Sequence, residues 1–260
     1  MKKYIAVFSC VLLILLCACG TESTKAPEST PTPPVASGSC GDKAKWNYYA
    51  DGTLYIYGSG SIADCNDIVS WETSDYITPW FDYSGTIEKI ILADGITSIG
   101  NGTFSGCTNL IGVHIPNTVT SLGNNVFKKC SSLTSVTIPE SVESIGNYIF
   151  DNYTNLRSVV LPEGIKDIGD CVFRRCESLT SVTIPESVES IGASAFEGCI
   201  SLENVSISGG LKSIGDYAFY DCPLTEINFS GMRSQWEKID IGIDAWGDAD
   251  HVIHFHDGEF

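Results

Sequence analysis

Basic residues are scarce in this chain. Its 260 residues include 15 lysines and arginines against 32 aspartates and glutamates, which gives a formal net charge of −17 at pH 7. Because phosphates and anionic lipid headgroups repel such a polyanion, the composition excludes nucleic acid and direct binding to anionic headgroups. The acidic surface is compatible with cationic or Ca²⁺-bridged partners, or it serves only to keep the protein solvated.

Long apolar runs are absent as well. The apolar run at residues 5–16 follows a basic start, and about 12 residues are too few to span a bilayer. This arrangement predicts a signal peptide, and Leu16-Cys17-Ala18-Cys19 resembles a bacterial lipobox. The resemblance implies a lipoprotein signal over residues 1–19, with Cys19 as the lipidated residue. An ordinary secretory signal and an uncleaved anchor are the alternatives.

The known catalytic signatures are also missing. The sequence contains no Gly-x-Ser-x-Gly elbow, no His-Glu-x-x-His, no P-loop and no dinucleotide-binding fingerprint. We therefore expect no enzymatic activity, no catalytic residues and no cofactor.

The segment at residues 20–39 is rich in serine, threonine and proline and has almost no large apolar side chains. Such a segment cannot bury enough surface to offset the entropy lost on ordering, and its prolines favour an extended conformation. We interpret it as a tether that holds a folded domain away from a membrane, which the chain contacts only through its lipid anchor.

A 23-residue period dominates the rest of the chain. Phenylalanine recurs at this spacing, and glycine, cysteine and leucine form parallel columns; the phenylalanines are Phe104, Phe127, Phe150, Phe173, Phe196 and Phe219. A fixed period of this length is typical of solenoids, in which each unit buries its apolar face against its neighbours. The column glycines are expected to supply a left-handed conformation or a close approach of two backbones.

Each unit combines two kinds of apolar spacing. In one repeat Val126, Phe127, Cys130 and Leu133 follow a helical spacing, whereas Val136 and Ile138 alternate with polar residues as in a half-buried strand. The pattern predicts an α/β solenoid with short helical or 3₁₀ arcs and one parallel sheet. Its strands are predicted at residues 87–92, 110–115, 133–138, 156–161, 179–184, 202–207 and 224–229.

The motif Leu-x-x-Val-x-Ile-Pro followed by Ile-Gly-x-x-x-Phe-x-x-Cys-x-x-Leu resembles the BspA-like bacterial surface leucine-rich repeats. The resemblance implies a leucine-rich-repeat stack over residues 86–229, an N-terminal hairpin cap over 40–85 and a C-terminal cap over 230–260, both built of β-structure. It also implies an exported, lipid-anchored protein of the bacterial cell surface that adheres to other proteins.

The repeat cysteines occupy an inward-facing position, so we predict buried free thiols, although stacked cysteines are close enough for pairing to be conceivable. Cys40 and Cys65 could also pair. Cys171 stands outside the column, and we expect it to be exposed.

The solvent-facing strand positions form the natural binding face. One column of these positions, taken as the candidate binding face, contains His114, Thr137, Val160, Thr183, Ser206 and Asn228. The column is small, polar and poor in aromatic residues, so it predicts weak or glycan-like binding, or else a merely solvated sheet.

Charged residues form further columns. Two columns alternate in sign, which favours the correct register of the repeats; they are Glu143, Lys166, Glu189 and Lys212, and Lys128, Asp151, Arg174 and Glu197. A third, which we call the acidic column, consists of Glu140, Glu163 and Glu186 at the strand ends. It could hold a cation or meet a basic partner, or it could be an uncompensated rim.

The C-terminal region contains a weaker candidate. His254 and His256 would share one face of a strand and could supply two metal ligands, but nothing with convincing ligand spacing completes such a site, and we predict no metal. Large aromatic residues also fall in the caps and are expected to be exposed there, so that the cap edges contribute to binding; they are Trp71, Trp80, Phe81, Tyr83, Trp236 and Trp246.

These features predict a non-catalytic binding module of the cell surface that acts in adhesion or protein–protein interaction through the repeat face and the caps. One alternative is a structural or sensory envelope protein that docks a partner of the same cell. Another is a glycan-binding accessory domain. The ligand, an extracellular protein or a glycan, is not identified by the sequence.

Overall fold

The computed structural model describes residues 32–67, 76–248 and 250–256. The predicted signal peptide with Cys19, most of the predicted tether, and Trp71 lie outside the described residues. No helix within the described ranges is long and apolar enough to cross a membrane.

The described chain winds into a parallel β-solenoid of stacked coils. One side of the coils forms a row of strands that we call the major row: Ala36–Ser39, Ala44–Tyr48, Thr53–Gly58, Lys89–Leu92, Gly112–His114, Ser135–Thr137, Ser158–Val160, Ser181–Ile184, Asn204–Ile207, Glu226–Phe229 and Val252–Phe255. The second strand is antiparallel to the first and to the third, and the recorded pairings along the rest of the row are parallel. The predicted solenoid and its terminal β-caps are confirmed.

The seven predicted repeat strands are present, and each begins two residues later than predicted. The 23-residue spacing predicts Leu133 as the first residue of its strand. Its N–H instead donates to the carbonyl of Cys130 at 3.1 Å, so Leu133 belongs to the preceding turn. The major row also extends beyond the repeats, because Thr53–Gly58 joins its N-terminal end and Val252–Phe255 its C-terminal end.

A second row of strands was not predicted. This minor row consists of Gly60–Ile62, Ile96–Ile99, Ser121–Leu122, Ser144–Ile145, Asp167–Ile168, Ser190–Ile191, Ser213–Ile214 and Asp240–Ile241. The recorded pairings are parallel, for example Leu122 opposite Ile145, and the first one shifts its register between Gly60 and Ser61. Most of these strands have only two residues, which is too short for an alternating pattern to be visible in a sequence.

The arcs between the two rows are chains of turns. The N–H of Cys130 donates to Phe127 O at 3.0 Å, and Lys128 N–H donates to Asn125 O at 3.1 Å. These i to i+3 bonds are those of a 3₁₀ helix, but the run does not continue as a regular one. Regular helix in the described residues is confined to the 3₁₀ helix Phe81–Thr86 and the α-helix Arg233–Trp236. One short antiparallel pair, Asn66–Asp67 with Tyr76–Ile77, completes the described strands.

A ladder of aromatic rings runs through the core. The six phenylalanines stack with centroid separations between 5.0 Å and 5.9 Å and are completely buried. Trp80 stacks on Phe104 at 5.7 Å, and Trp246 stacks on Phe219 at 4.9 Å. A tryptophan in each cap therefore extends the phenylalanine ladder. The expectation that Trp80 is exposed was wrong, because its ring is fully buried as the first rung.

The column glycines allow adjacent backbones to approach closely. A Cβ at Gly146 would lie 2.6 Å from the backbone nitrogen of Asn124, well inside van der Waals contact. The left-handed conformation instead falls two residues later in each repeat, at a position taken by Gly102, Asn125, Tyr148, Cys171, Ser194 and Tyr217. The expectation of a left-handed conformation at the column glycines was thus wrong, and the expectation of a close approach of two backbones was correct.

Beside the glycines, side-chain amides and carboxylates link successive coils. Asn101 Oδ1 accepts from the N–H of Asn124 at 2.6 Å, and Asn124 Oδ1 accepts from the N–H of Asn147 at 2.7 Å. The same bond continues from Asn147 to Asp170 and from Asp170 to Ala193. We call this row the amide ladder.

The cysteine column is buried and made of free thiols, as predicted. The thiols of Cys130, Cys176, Cys199 and Cys222 each donate to the carbonyl of the phenylalanine 26 residues earlier, for example Cys199 Sγ to Phe173 O at 3.1 Å. Tyr153, which replaces cysteine in one repeat, donates its hydroxyl to Phe127 O. The column position therefore needs a buried donor as well as apolar bulk.

Cys171 is a correction to the sequence analysis. It was expected to be exposed, but it is 7 % exposed and adopts a left-handed φ of 54°. Its thiol lies 3.9 Å from Ala193 O in the next coil and also interacts with the side chain of Tyr148. The neighbouring coil and this tyrosine cover a side chain that a single repeat would leave open.

Candidate functional site

The candidate binding face lies on the solvent side of the major row, which we call the outer face. The register places Ile91 beside His114, Thr137 beside Val160, and Thr183 beside Ser206 and then Asn228. The side chains of His114, Thr137, Val160, Thr183 and Asn228 are exposed, whereas Ser206 is half-buried. The predicted column therefore lies on one accessible surface. Val160, the apolar residue of this column, is 60 % exposed.

The column continues into both caps, which the sequence analysis missed. Tyr55 lies beside Ile91 at the N-terminal end, and His254 lies beside Asn228 at the C-terminal end. The 23-residue period cannot place either residue, because 36 residues separate Tyr55 from Ile91 and 26 separate Asn228 from His254. The pairing of the strands supplies the register that the spacing does not.

The outer face deepens into a groove at its C-terminal end. The groove has a volume of about 470 Å³ and is lined by Glu163, Thr183, Ile184, Pro185, Glu186, Ser206, Ile207, Ser208, Asn228, Phe229, Ser230, His254, Phe255 and His256. We call it the C-terminal groove. It brings together half of the predicted binding column, two members of the acidic column and both candidate histidines.

The repeat changes where the acidic column ends. Three repeats place glutamate after the proline that ends the strand, whereas the next repeat has Gly209 there. The acidic column therefore stops at Glu186. A Cβ at Gly209 would lie 3.2 Å from Gly231 Cα, so the backbones approach closely at this point.

Hydrogen bonds hold the carboxylates of the acidic column. The N–H of Glu163 donates to Glu140 Oε2 at 2.9 Å, which ties two neighbouring coils together. Ser230 Oγ donates to Glu186 Oε1 at 3.1 Å, across the repeat that contains Gly209. Glu186 is thus anchored to both walls of the C-terminal groove.

His254 lies in the last strand, whereas His256 follows the end of that strand, and both line the C-terminal groove. Within the described ranges, no group of three or more His, Cys, Asp or Glu side chains could hold a metal ion. Asp257, which follows His256, lies outside the described residues.

The structure leaves other predicted site residues apart from the groove. His114, Thr137, Val160 and Glu140 are not among its lining residues and lie on earlier coils. They share the outer face or the strand-end rim with it. The candidate site is therefore a long surface with one concave end.

Aromatic residues are distributed differently from the prediction. Phe81 is exposed at 45 %, but Tyr83, Trp236 and Trp246 are half-buried and pack against the core. The outer face instead carries Tyr55 and Tyr57, whose rings stack at 5.6 Å with an interplanar angle of 13°. Alternating aromatic residues in the N-terminal hairpin were the sequence signal for this pair.

The columns of alternating charge form ion pairs between coils. Arg174 contacts Asp151 with two hydrogen bonds, of 2.8 Å and 3.1 Å, and Lys212 contacts Glu189 at 2.5 Å. The hydrogen bond from Lys212 lowers the pKa of the exposed Glu189 carboxyl. These pairs connect neighbouring repeats and lie outside the lining of the C-terminal groove, which agrees with the structural role predicted for them.

Known proteins match this architecture. The model of the BspA type leucine rich repeat region matches residues 78–185 and 166–240 in six copies. A solved leucine-rich repeat protein from Bacteroides ovatus is 20 % identical, with a TM-score of 0.51 over 82 % of this chain and 70 % of that one. One from Eubacterium ventriosum is 21 % identical, with a TM-score of 0.42 over 85 % and 72 %.

A leucine rich cell surface protein from Faecalibacterium prausnitzii is 17 % identical, with a TM-score of 0.41 over 84 % of this chain and 99 % of that one. No curated protein matches the chain. The likeness to the Bacteroides protein concerns the fold alone. The repeat motif, the stacked coils and the family model, which spans more than half of the sequence, together show that the chain belongs to the BspA-type leucine-rich-repeat family.

Proposed function

We propose that this chain is a non-catalytic binding module of the bacterial cell surface, which takes an extracellular protein along its outer face. The observation that carries the proposal is the convergence at the C-terminal groove of the predicted binding column, the acidic column and the two histidines. A concave surface with a few convergent polar groups is the usual form of a binding site.

The rest of the outer face supports an extended partner. Between the tyrosine pair and the C-terminal groove, its column holds Ile91, His114, Thr137 and Val160, and no tryptophan, phenylalanine, tyrosine, lysine or arginine. A solenoid surface of this shape binds by many weak contacts over several repeats. Strong anchors would then be confined to the two ends, at the tyrosine pair and at the groove.

The cellular setting belongs to the same proposal. Lipid on Cys19 and the tether over residues 20–39 would hold the solenoid outside the membrane, where a partner in the surroundings can reach it. The substitution Cys19→Ser is expected to release the protein from the membrane fraction. Mass spectrometry of the N-terminal peptide then distinguishes lipidation from cleavage of an ordinary signal.

The experiment that tests binding uses arrays of extracellular-matrix proteins and glycans, probed with the purified full chain with and without Ca²⁺. The variant Thr183→Arg places a long cation on the outer face, where Thr183 borders the C-terminal groove, and is expected to abolish a saturable signal. Thr108→Arg is the matched control, because Thr108 is an exposed residue on an arc. An undiminished signal with Thr183→Arg, or silence on both arrays, would contradict the proposal, and silence would favour a partner within the cell's own envelope.

A glycan is the second candidate, because the stacked pair Tyr55 and Tyr57 offers aromatic surface at the N-terminal end of the outer face. Binding to glycans that is lost in Tyr57→Ala and retained in Thr183→Arg would select this function.

A further inference from the structure

The C-terminal groove has a distinct chemical character. Its acidic groups are Glu163 and Glu186, and no lysine or arginine occurs among the residues that line it within the described chain. Arg233 is close by, with its guanidinium 4.6 Å from the ring centroid of Phe255, but it is not a lining residue. The groove therefore has two carboxylates and no lysine or arginine in its lining, on a protein whose net charge is already −17, and it attracts cations.

From this charge and shape we propose that the C-terminal groove receives one basic side chain, a lysine or arginine, of a partner polypeptide whose neighbouring residues lie along the outer face. The inference rests on the proposed function and names the chemistry of its anchor point.

Glu186 is the residue that receives the charge. Ser230 occupies one acceptor position on Oε1 and fixes the carboxylate against the far wall. A carboxylate has about four acceptor sites, so Glu186 retains the capacity to accept from an ammonium or a guanidinium. An anchored carboxylate loses less side-chain entropy on binding than a free one, which favours the interaction.

The apolar part of the groove suits the stem of a basic side chain. The half-buried Phe255 contributes carbon surface beside the carboxylates, and the largely buried Pro185 also lines the groove. Lysine and arginine carry three or four methylene groups that prefer such surface while the charged head meets an acid. A bare metal ion has no use for this surface and needs more ligands: Ca²⁺ takes six to eight oxygens.

The remaining polar groups suit a peptide backbone. Ser206, Asn228 and His254 lie beside one another across three strands and can donate to or accept from main-chain amides of an extended segment. A bound sugar would use the same groups, but it would not require the charge of Glu186. The charge of the ligand is therefore the property to vary.

The test measures fluorescence anisotropy of a labelled peptide of alternating lysine and threonine with the purified full chain. The same peptide acetylated on every lysine is the matched probe, since acetylation removes the charge and keeps the shape. We expect saturable binding that is about tenfold weaker for the acetylated peptide and that weakens between about 50 and about 300 mM NaCl. Equal binding of both peptides, or no saturable binding, overturns the inference.

Two variants locate the binding. Glu186→Gln keeps the shape and the bond from Ser230 but removes the charge, and is expected to weaken binding about five- to tenfold. Glu140→Gln is the control, because Glu140 belongs to the same acidic column and does not line the groove; we expect a change within about twofold. Equal effects of the two variants would show a diffuse attraction to the acidic surface and overturn the groove as the site.

The same variants separate this inference from the proposed function. A partner from the arrays that is lost in Thr183→Arg but retained in Glu186→Gln leaves binding along the outer face intact and refutes the basic anchor. A lysine peptide that depends on Glu186, with no array partner sensitive to Thr183→Arg, supports the anchor and refutes the extended binding surface.

Discussion

The interior and the outer face of this solenoid differ in how far their residues repeat. Inside, every repeat has phenylalanine at the same position, and a tryptophan continues the row at each end. On the outer face, the residues of the candidate binding face differ between repeats and include histidine, threonine, valine, serine and asparagine. An interior ring must fit the rings above and below it at 5.0 to 5.9 Å, whereas an outer side chain meets mainly water.

This difference shows where variation is tolerated and where it carries function. Changes in the interior are transmitted along the stack, because each coil is stabilised mainly by its two neighbours. Changes on the outer face leave the stack intact and alter only what it presents. Val160, which stands between Thr137 and Thr183 in the candidate binding face and is 60 % exposed, is such a change.

The largest effect is expected from removing one rung of the phenylalanine ladder. Phe150 is completely buried between two other rings and contacts the edge of Tyr153. Phe150→Ala leaves a cavity in mid-stack and is expected to lower the free energy of unfolding by about 3 to 5 kcal/mol, measured by urea denaturation. Val160→Ala, on the outer face of the next strand, should change it by no more than about 0.5 kcal/mol. Similar losses in both variants would contradict the comparison.

The glycine column provides the second test. In Gly146→Ala the new methyl group would lie 2.6 Å from the backbone of two residues, Gly123 and Asn124. The coils must separate to admit it, so we expect a loss of about 2 to 3 kcal/mol in the same measurement. The control Gly85→Ala adds its methyl where nothing lies within 4 Å and should be neutral or slightly stabilising. An unaffected Gly146→Ala would mean that the close approach of the coils is dispensable.

Buried thiols make the interior sensitive to high pH in a way that the outer face is not. Burial, with a smaller effect from Cys65, raises the pKa of the Cys40 thiol from 9.0 to about 12. Burial, with a smaller effect from Asp64, raises the pKa of Cys65 to about 11. The unfolded chain therefore loses these protons first, so the contribution of these two thiols to stability is constant below about pH 9 and falls as the pH rises towards the folded values. Each group contributes a slope of about 1.4 kcal/mol per pH unit in that window.

Urea denaturation at several pH values between neutrality and pH 11 measures that slope. Cys40→Ala removes one of the two thiols and is expected to flatten the curve by about the contribution of one group. An unchanged slope would show that other groups cause the alkaline loss.

The sequence predicts the interior better than the candidate site, because the spacing between equivalent residues is constant in the repeats and irregular towards the caps. Six phenylalanines at a constant spacing reveal the stack and its strands. The rungs Trp80 and Trp246 lie 24 and 27 residues from their neighbours Phe104 and Phe219, so the period does not identify them, and Trp80 was wrongly expected at the surface.

The C-terminal groove fails to appear in the sequence for the same reason. Its histidines were found as a pair, and Glu163 and Glu186 as part of a column, but nothing linked the two groups. His254 reaches its place beside Asn228 through pairing of the last strand, after an interval that contains the α-helix Arg233–Trp236. Cys171 escaped prediction because the neighbouring coil and Tyr148, not its own repeat, cover it.

The smallest effects are expected from the amide ladder, where an exposed row repeats as the interior does. Asn124 is exposed, yet its amide accepts a backbone N–H from Asn147 at 2.7 Å. Asn124→Ala removes that acceptor and should cost about 1 kcal/mol in urea denaturation. At a surface position, the same type of residue in successive repeats therefore indicates a contact between coils. Variation of the residue type, as in the candidate binding face, indicates that no such contact constrains the position.

The amide ladder is interrupted at Ala193. This position allows a further test of the difference between surface positions that contact the next coil and those that do not. Ala193 donates its N–H to Asp170 Oδ1 but has no side-chain oxygen that could accept a hydrogen bond from the following coil, at Asp216. Ala193→Asn is expected to extend the ladder and to raise the free energy of unfolding by about 0.5 to 1 kcal/mol. Thr137→Asn places the same amide on the outer face and should produce no gain. If both variants gave equal gains, the benefit would come from asparagine itself and not from the register of the coils.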